Sequence, residues 1–156
     1  MSKYAIYSNK SYHLNIRGKI LRLTSEVKES GFQELIDLAG NQRSNIFIKE
    51  VSVDDIEMAF DIKINAIYKG KEFETFSIGY FCIEENAISL FSMNYKDVEL
   101  YGFKKEEQFV FKKDVSLNDI EALVEIKIPI LKFEGMPKSR SLIPNQLIKE
   151  YIRKME

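Results

Sequence analysis

Apolar and polar side chains alternate with a period of two through much of the chain. Ile56, Met58, Phe60, Ile62, Ile64, Ala66 and Tyr68 share one parity; Glu57, Ala59, Asp61, Lys63, Asn65 and Ile67 share the other. That pattern predicts a long half-buried strand. At about 3.3 Å per residue it would reach ~43 Å, so bending or twisting is expected. Lys69-Gly70-Lys71 predicts a turn, and Phe73 to Ile83 a return strand whose apolar face shifts between Phe73 and Phe76, as at a bulge. Glu84-Glu85-Asn86 turns the chain into Ile88 to Tyr95. Gly102 and Lys104-Lys105-Glu106-Glu107 separate that strand from Phe109 to Lys113. Further on, Val124, Ile126, Ile128 and Ile130 face inward, and Pro129 places their strand at an edge or bulge. Near the N-terminus, strands are expected at Tyr4 to Ser8 and Leu14 to Leu23, with a change of parity near Gly18, as at a bulge.

Two stretches carry a helical period instead. In residues 30–40, Ser30 with Gln33 forms a capping-box pattern, Phe32, Leu35, Ile36 and Ala39 form an apolar stripe, and Gly40 is a stop. In residues 143–155, Pro144 sits in the first turn and Ile143, Leu147, Ile148, Tyr151, Ile152 and Met155 form the stripe. Arg153 and Lys154 complement the helix dipole.

The chain also repeats itself. Residues 46–67 and 110–131 align without a gap at an offset of 64, and 10 of the 22 positions are identical. Chance would give roughly one or two. The shared core is Val51-Ser52-Val53-Asp54-Asp55-Ile56-Glu57 against Val115-Ser116-Leu117-Asn118-Asp119-Ile120-Glu121, followed by Ile62-Lys63-Ile64 against Ile126-Lys127-Ile128. A repeat of this kind is a strong guide to architecture. It predicts two related hairpins, each a short strand, a turn and a long strand. Segment 116–121 could instead be a short helical turn capped by Ser116. Short connections favour antiparallel pairing. The expected fold is therefore α+β: one domain over residues 1–156, with about eight antiparallel strands in two four-stranded sheets related by a pseudo-two-fold, capped by helices 30–40 and 143–155.

Length and composition fit an ordinary globular domain: 156 residues, 45% hydrophobic and 30% charged, with a net charge of −1. That charge argues against general affinity for nucleic acid or anionic membrane. Its distribution is uneven, at +4 over residues 1–49, −7 over 50–107 and +2 over 108–156. Cys82, the single cysteine, excludes an intramolecular disulfide and lies in an apolar run, as a buried thiol would. The opening residues contain no apolar stretch of signal-peptide length, and no window resembles a membrane span of about 18 residues. A cytoplasmic location is expected.

Catalytic sets are thin. One histidine, His13, cannot build a metal cluster alone, and spacing suggests no Ser-His-Asp or Cys-His pairing. Asp54-Asp55, Glu84-Glu85 and Glu106-Glu107 fall at turns, where acidic side chains cap backbone. The glycines are scattered, so no loop cradles phosphate. No catalytic residue, cofactor or metal ligand is expected.

Tyr68-Lys69-Gly70-Lys71 resembles the Lys-Gly-Lys start of the motif of Whirly proteins, which bind single-stranded nucleic acid. Their two four-stranded sheets and internal pseudo-symmetry match the architecture read from the repeat. The chain departs from the motif at Glu72, Phe73 and Glu74, where the family has small apolar residues. Two carboxylates there would repel phosphate. In size, composition and lack of catalytic groups the chain also resembles bacterial immunity proteins of contact-dependent inhibition or Maf type, some of which have a Whirly-like fold and neutralise EndoU-class nucleases. That resemblance implies a non-catalytic protein whose partner is a cognate toxin with a basic cleft, blocked by acidic residues. The candidates are Glu84, Glu85, Asp97, Glu99, Glu106 and Glu107. Other readings are a single-stranded nucleic-acid-binding module and a small-molecule-binding or enzymatic β domain.

Overall fold

The computed structural model describes residues 2–155, and the side chains of all these except residues 42–44. In chain order its elements are β1 (Ser2–Tyr7), β2 (Lys10–Arg17), β3 (Ile20–Ser25), β4 (Gln33–Ile36), β5 (Gln42–Val51), β6 (Met58–Tyr68), β7 (Lys71–Thr75), α1 (Tyr80–Glu85), β8 (Ala87–Ser92), α2 (Lys96–Tyr101), β9 (Lys104–Glu107), β10 (Val110–Ser116), β11 (Ile120–Pro129), β12 (Ser139–Pro144) and α3 (Ile148–Met155). Short 3-10 turns precede β6, β11 and α3. The fold is α+β and dominated by antiparallel strands.

Two compact units emerge from the contacts. One comprises Met1–Lys63 with Lys127–Ser139, the other Ile64–Ile126 with Arg140–Glu156. In the first unit, pairing runs β4-β5-β3-β2-β1-β6. Alternation along β2 sends Tyr12 and Leu14 inward and Ser11, His13 and Asn15 outward. The inward set joins Ala5, Leu21, Leu23, Phe32, Phe47, Val51 and Ala59 in one core. In the second unit, pairing runs from the end of β6 through β7, β8 and β10 to β9. Its core collects Ala66, Tyr68, Phe73, Ile88, Leu90, Phe103, Val115 and Leu123 from strands and loops, Cys82 from α1, and Ile148 and Ile152 from α3. Burying a leucine or isoleucine side chain contributes roughly 1.5–3 kcal/mol.

Both copies of the repeat fold alike. Copy one is β5, a 3-10 turn at Val53–Asp55, and β6; copy two is β10, a 3-10 turn at Leu117–Asp119, and β11. Similarity extends into the neighbouring strands. Leu21 pairs with Val51, Leu23 with Lys49 and Ser25 with Phe47. Ile88 pairs with Val115, Leu90 with Lys113 and Ser92 with Phe111, and each of these β10 partners lies 64 positions beyond its β5 counterpart. Each repeated strand also takes an outer partner through an irregular register, β4 for β5 and β9 for β10.

Several expectations change. The strands do not form two separate four-stranded sheets. β6 pairs with β1 through residues 58–62 and with β7 through residues 65–68, so hydrogen bonding is continuous across twelve strands. β6 gives Ala59 to the first core and Ala66 and Tyr68 to the second, positions of opposite parity, so its alternation does not serve one buried face. Residues 30–40 are not helical. Gly31 adopts φ 83°, residues 33–36 pair with β5, and Asp37 Oδ1 accepts from the backbone of Ala39 and Asn41. A single short helix is marginal in water, and only Phe32 of its stripe reaches the core. In residues 143–155 the helix starts later, because Ile143 and Pro144 end β12 and Asn145–Leu147 form a 3-10 turn. Asn145 Nδ2 anchors that turn to the carbonyls of Leu117 and Ile120 at 3.0 and 2.8 Å.

Three further segments differ from the periodic reading. Leu14 to Leu23 is two strands joined at Gly18, not one strand with a bulge. The expected return strand stops at Thr75, and Tyr80–Glu85 becomes α1, closed by Asn86 in the left-handed region at φ 52°. Lys104-Lys105-Glu106-Glu107 is itself a strand, while Lys96–Tyr101 forms α2, ended by Gly102 at φ 76°. A residue with a Cβ would be strained there.

Candidate functional site

The six acidic candidates separate by environment. Asp97 is 1% exposed. One carboxylate oxygen accepts from Lys71 Nζ at 2.7 Å, and the other accepts from Ser92 Oγ. Ser92 Oγ in turn accepts from the backbone of Asn94 at 2.9 Å, and Asn94 Oδ1 from the backbone of Lys96 at 3.0 Å. Asp97 is thus an internal anchor for the first turn of α2, not part of a surface. Burying a carboxylate is costly unless it is paired and hydrogen-bonded, and here it is both.

Glu84, Glu85, Glu99, Glu106 and Glu107 are exposed. Glu84 and Glu85 lie on α1, Glu99 on α2, and Glu106 and Glu107 on β9. None of the five makes an ion pair or a side-chain hydrogen bond among the described residues. Some other acids are engaged, Asp61 with Lys3 at 2.9 Å, Glu29 with Lys10 and Tyr12, and Glu72 with Arg140, while Glu26, Glu34, Asp119 and Glu134 are exposed and uncommitted like the five. Glu106 also borders an open depression of about 420 Å³ with Lys104, Lys112, Lys113 and Asp114. The candidates fall into two groups set by β8. Glu84 and Glu85 precede its first residue, Ala87, which pairs with Ser116. Glu99, Glu106 and Glu107 belong to the other end, where Ser92 pairs with Phe111. Six strand residues separate the groups by roughly 17–20 Å.

The Lys69-Gly70-Lys71 motif is absorbed by the scaffold. Lys69 and Gly70, at φ 49° and 77°, are the turn between β6 and β7. Gly70 N–H donates to Glu121 at 2.8 Å, Lys71 holds Asp97, and Lys69 Nζ lies 5.4 Å from the Tyr68 ring. Glu72 accepts from Asn65 and from the Arg140 guanidinium, whose pKa it raises further.

Acidic pairs within the repeat have structural work. Asp55 Oδ2 accepts from the backbone N–H of Ser52 at 2.9 Å and from its hydroxyl at 3.1 Å, which together hold the carboxyl below its usual range. In the second copy Ser116 Oγ accepts from the backbone of Asn118 at 3.2 Å. Cys82 is buried in the second core, and burial pushes its thiol pKa up. Among the described residues no group of His, Cys, Asp and Glu is arranged to hold a metal ion, and no helix is long and apolar enough to cross a membrane.

His13 sits elsewhere, on the outward face of the first unit. Its ring lies 4.6 Å from that of its cross-strand partner Tyr4, which in turn stacks on Phe60 at 6.1 Å. An open depression of about 410 Å³ beside it is lined by Ser2, Lys3 and Asn15 among others. Asn15 also lines a second depression with Arg17, Arg22 and Glu50.

Exposed Met93, Tyr95 and Phe109 escaped the periodic reading because apolar residues in short strands look alike whether covered or not. The available signal was Phe109 itself, a bulky residue directly after Glu106-Glu107-Gln108, where a turn was expected.

No curated protein and no solved structure matches the chain. A family model described as "Uncharacterised conserved protein UCP033725" matches residues 1–79. Covering just over half of the sequence, that match places the chain in this family.

Proposed function

We propose that this chain is a non-catalytic immunity protein that binds a cognate bacterial toxin, a nuclease with a basic cleft, and blocks its active site. The observation that carries this reading is that Glu84, Glu85, Glu99, Glu106 and Glu107 are exposed and uncommitted within the stretch 50–107, whose net charge is −7. Solvated and unpaired, they lose no internal partner on meeting lysine or arginine. They also steer a basic protein into encounter at a salt-sensitive rate. Occlusion needs no chemistry from this chain, only complementary shape and charge over roughly 800 Å² of its surface.

The test is inhibition of the toxin encoded beside this gene. Equimolar chain should abolish its nuclease activity, with association slowing as salt rises. Undiminished cleavage at equimolar protein, or a neighbouring gene that encodes no toxin, would count against the reading.

A second reading, single-stranded nucleic-acid binding, draws on the Tyr4–His13 ring pair flanked by Lys3, Arg17 and Arg22. Aromatic rings among cations can stack bases and hold phosphate. A gel shift with single-stranded RNA and DNA tests it: a salt-sensitive shift lost in His13→Ala favours this reading over the first, and no shift removes it.

A further inference from the structure

No further inference is drawn: the strongest candidate, the outward face of β2 and β3 where Asn15 pairs with Arg22 and both line a depression with Arg17, belongs to the nucleic-acid reading already described, and Glu50, 3.5 Å from Arg22, offsets part of its charge.

Discussion

Lys71 reaches across 26 positions of sequence to place its ammonium 2.7 Å from Asp97 Oδ1. The lysine side chain is 39% exposed and the aspartate side chain 2%. Desolvation therefore falls mostly on Asp97, which offsets it with the Ser92 hydroxyl as well as the ammonium. The Phe73 and Tyr101 rings also face Lys71 Nζ, at 5.2 and 5.7 Å. Lys71→Met strands the carboxylate and should cost about 3 kcal/mol. Asp97→Asn keeps hydrogen-bonding atoms in place and removes the buried charge, so it should cost less, about 1 kcal/mol. Urea unfolding of the two variants checks the order. Equal stability of Lys71→Met and the unaltered chain would remove the anchoring role.

Leu23 and Leu90 are corresponding core positions of the two units, each fully buried and each opposite a lysine of the repeat, Lys49 and Lys113. Leu→Ala at either site should destabilise its unit by about 3 kcal/mol, within the range set by lost burial and an unfilled cavity. Hydrogen exchange read separately for the two units is the measurement. A loss at one site several times that at the other would show that the shared register does not carry equivalent packing.

Burial, followed by the hydrogen bond to Glu29, pushes the Tyr12 pKa up from 10.0 to about 12. Its folded value lies above the unfolded one. The associated stability is therefore present below pH 10 and is lost as pH rises from about 10 to about 12, amounting to at most about 3 kcal/mol. Tyr12→Phe loses the hydrogen bond at neutral pH but has no phenol to ionise. Its melting temperature should fall less than that of the unaltered chain over this alkaline window. Parallel curves for the two proteins would refute the assignment.

Cys82 offers a chemical reading of stability in the second unit. Its buried thiol has a raised pKa, so both access and thiolate fraction are low. An aromatic disulfide reagent at pH 8 should label it only as the unit opens, and Ile152→Ala, in the same core, should accelerate labelling. Immediate stoichiometric labelling of the native protein would contradict the burial.

Local chemistry explains what the sequence made legible at the site and in the fold. The Lys69-Gly70 turn was readable because glycine there takes a left-handed backbone. Ser116 could be read as a cap because a hydroxyl before a turn has a nearby N–H to satisfy, that of Asn118, whereas the Ser52 hydroxyl donates to Asp55. The helix expected over residues 30–40 does not form, although Phe32, Leu35, Ile36 and Ala39 fit a helical period equally well. What decides is β5, whose edge pairs with Gln33–Ile36. At the site, Glu84, Glu85, Glu99, Glu106 and Glu107 are exposed as charge alone suggests. Asp97 has the same chemistry and is buried, because Lys71 and Ser92 come to it from other strands.

The duplication, its alternating strands and its capped turns were determined by the sequence by itself, since period and turn chemistry act between residues a few positions apart. Tertiary structure alone decided that Ala59 and Ala66, on one strand, enter different cores. It also decided that Met93 and Phe109 stay uncovered at the end of a shared ladder. Those outcomes depend on which distant strand or helix arrives over each face, and a periodic pattern states only that a face needs covering.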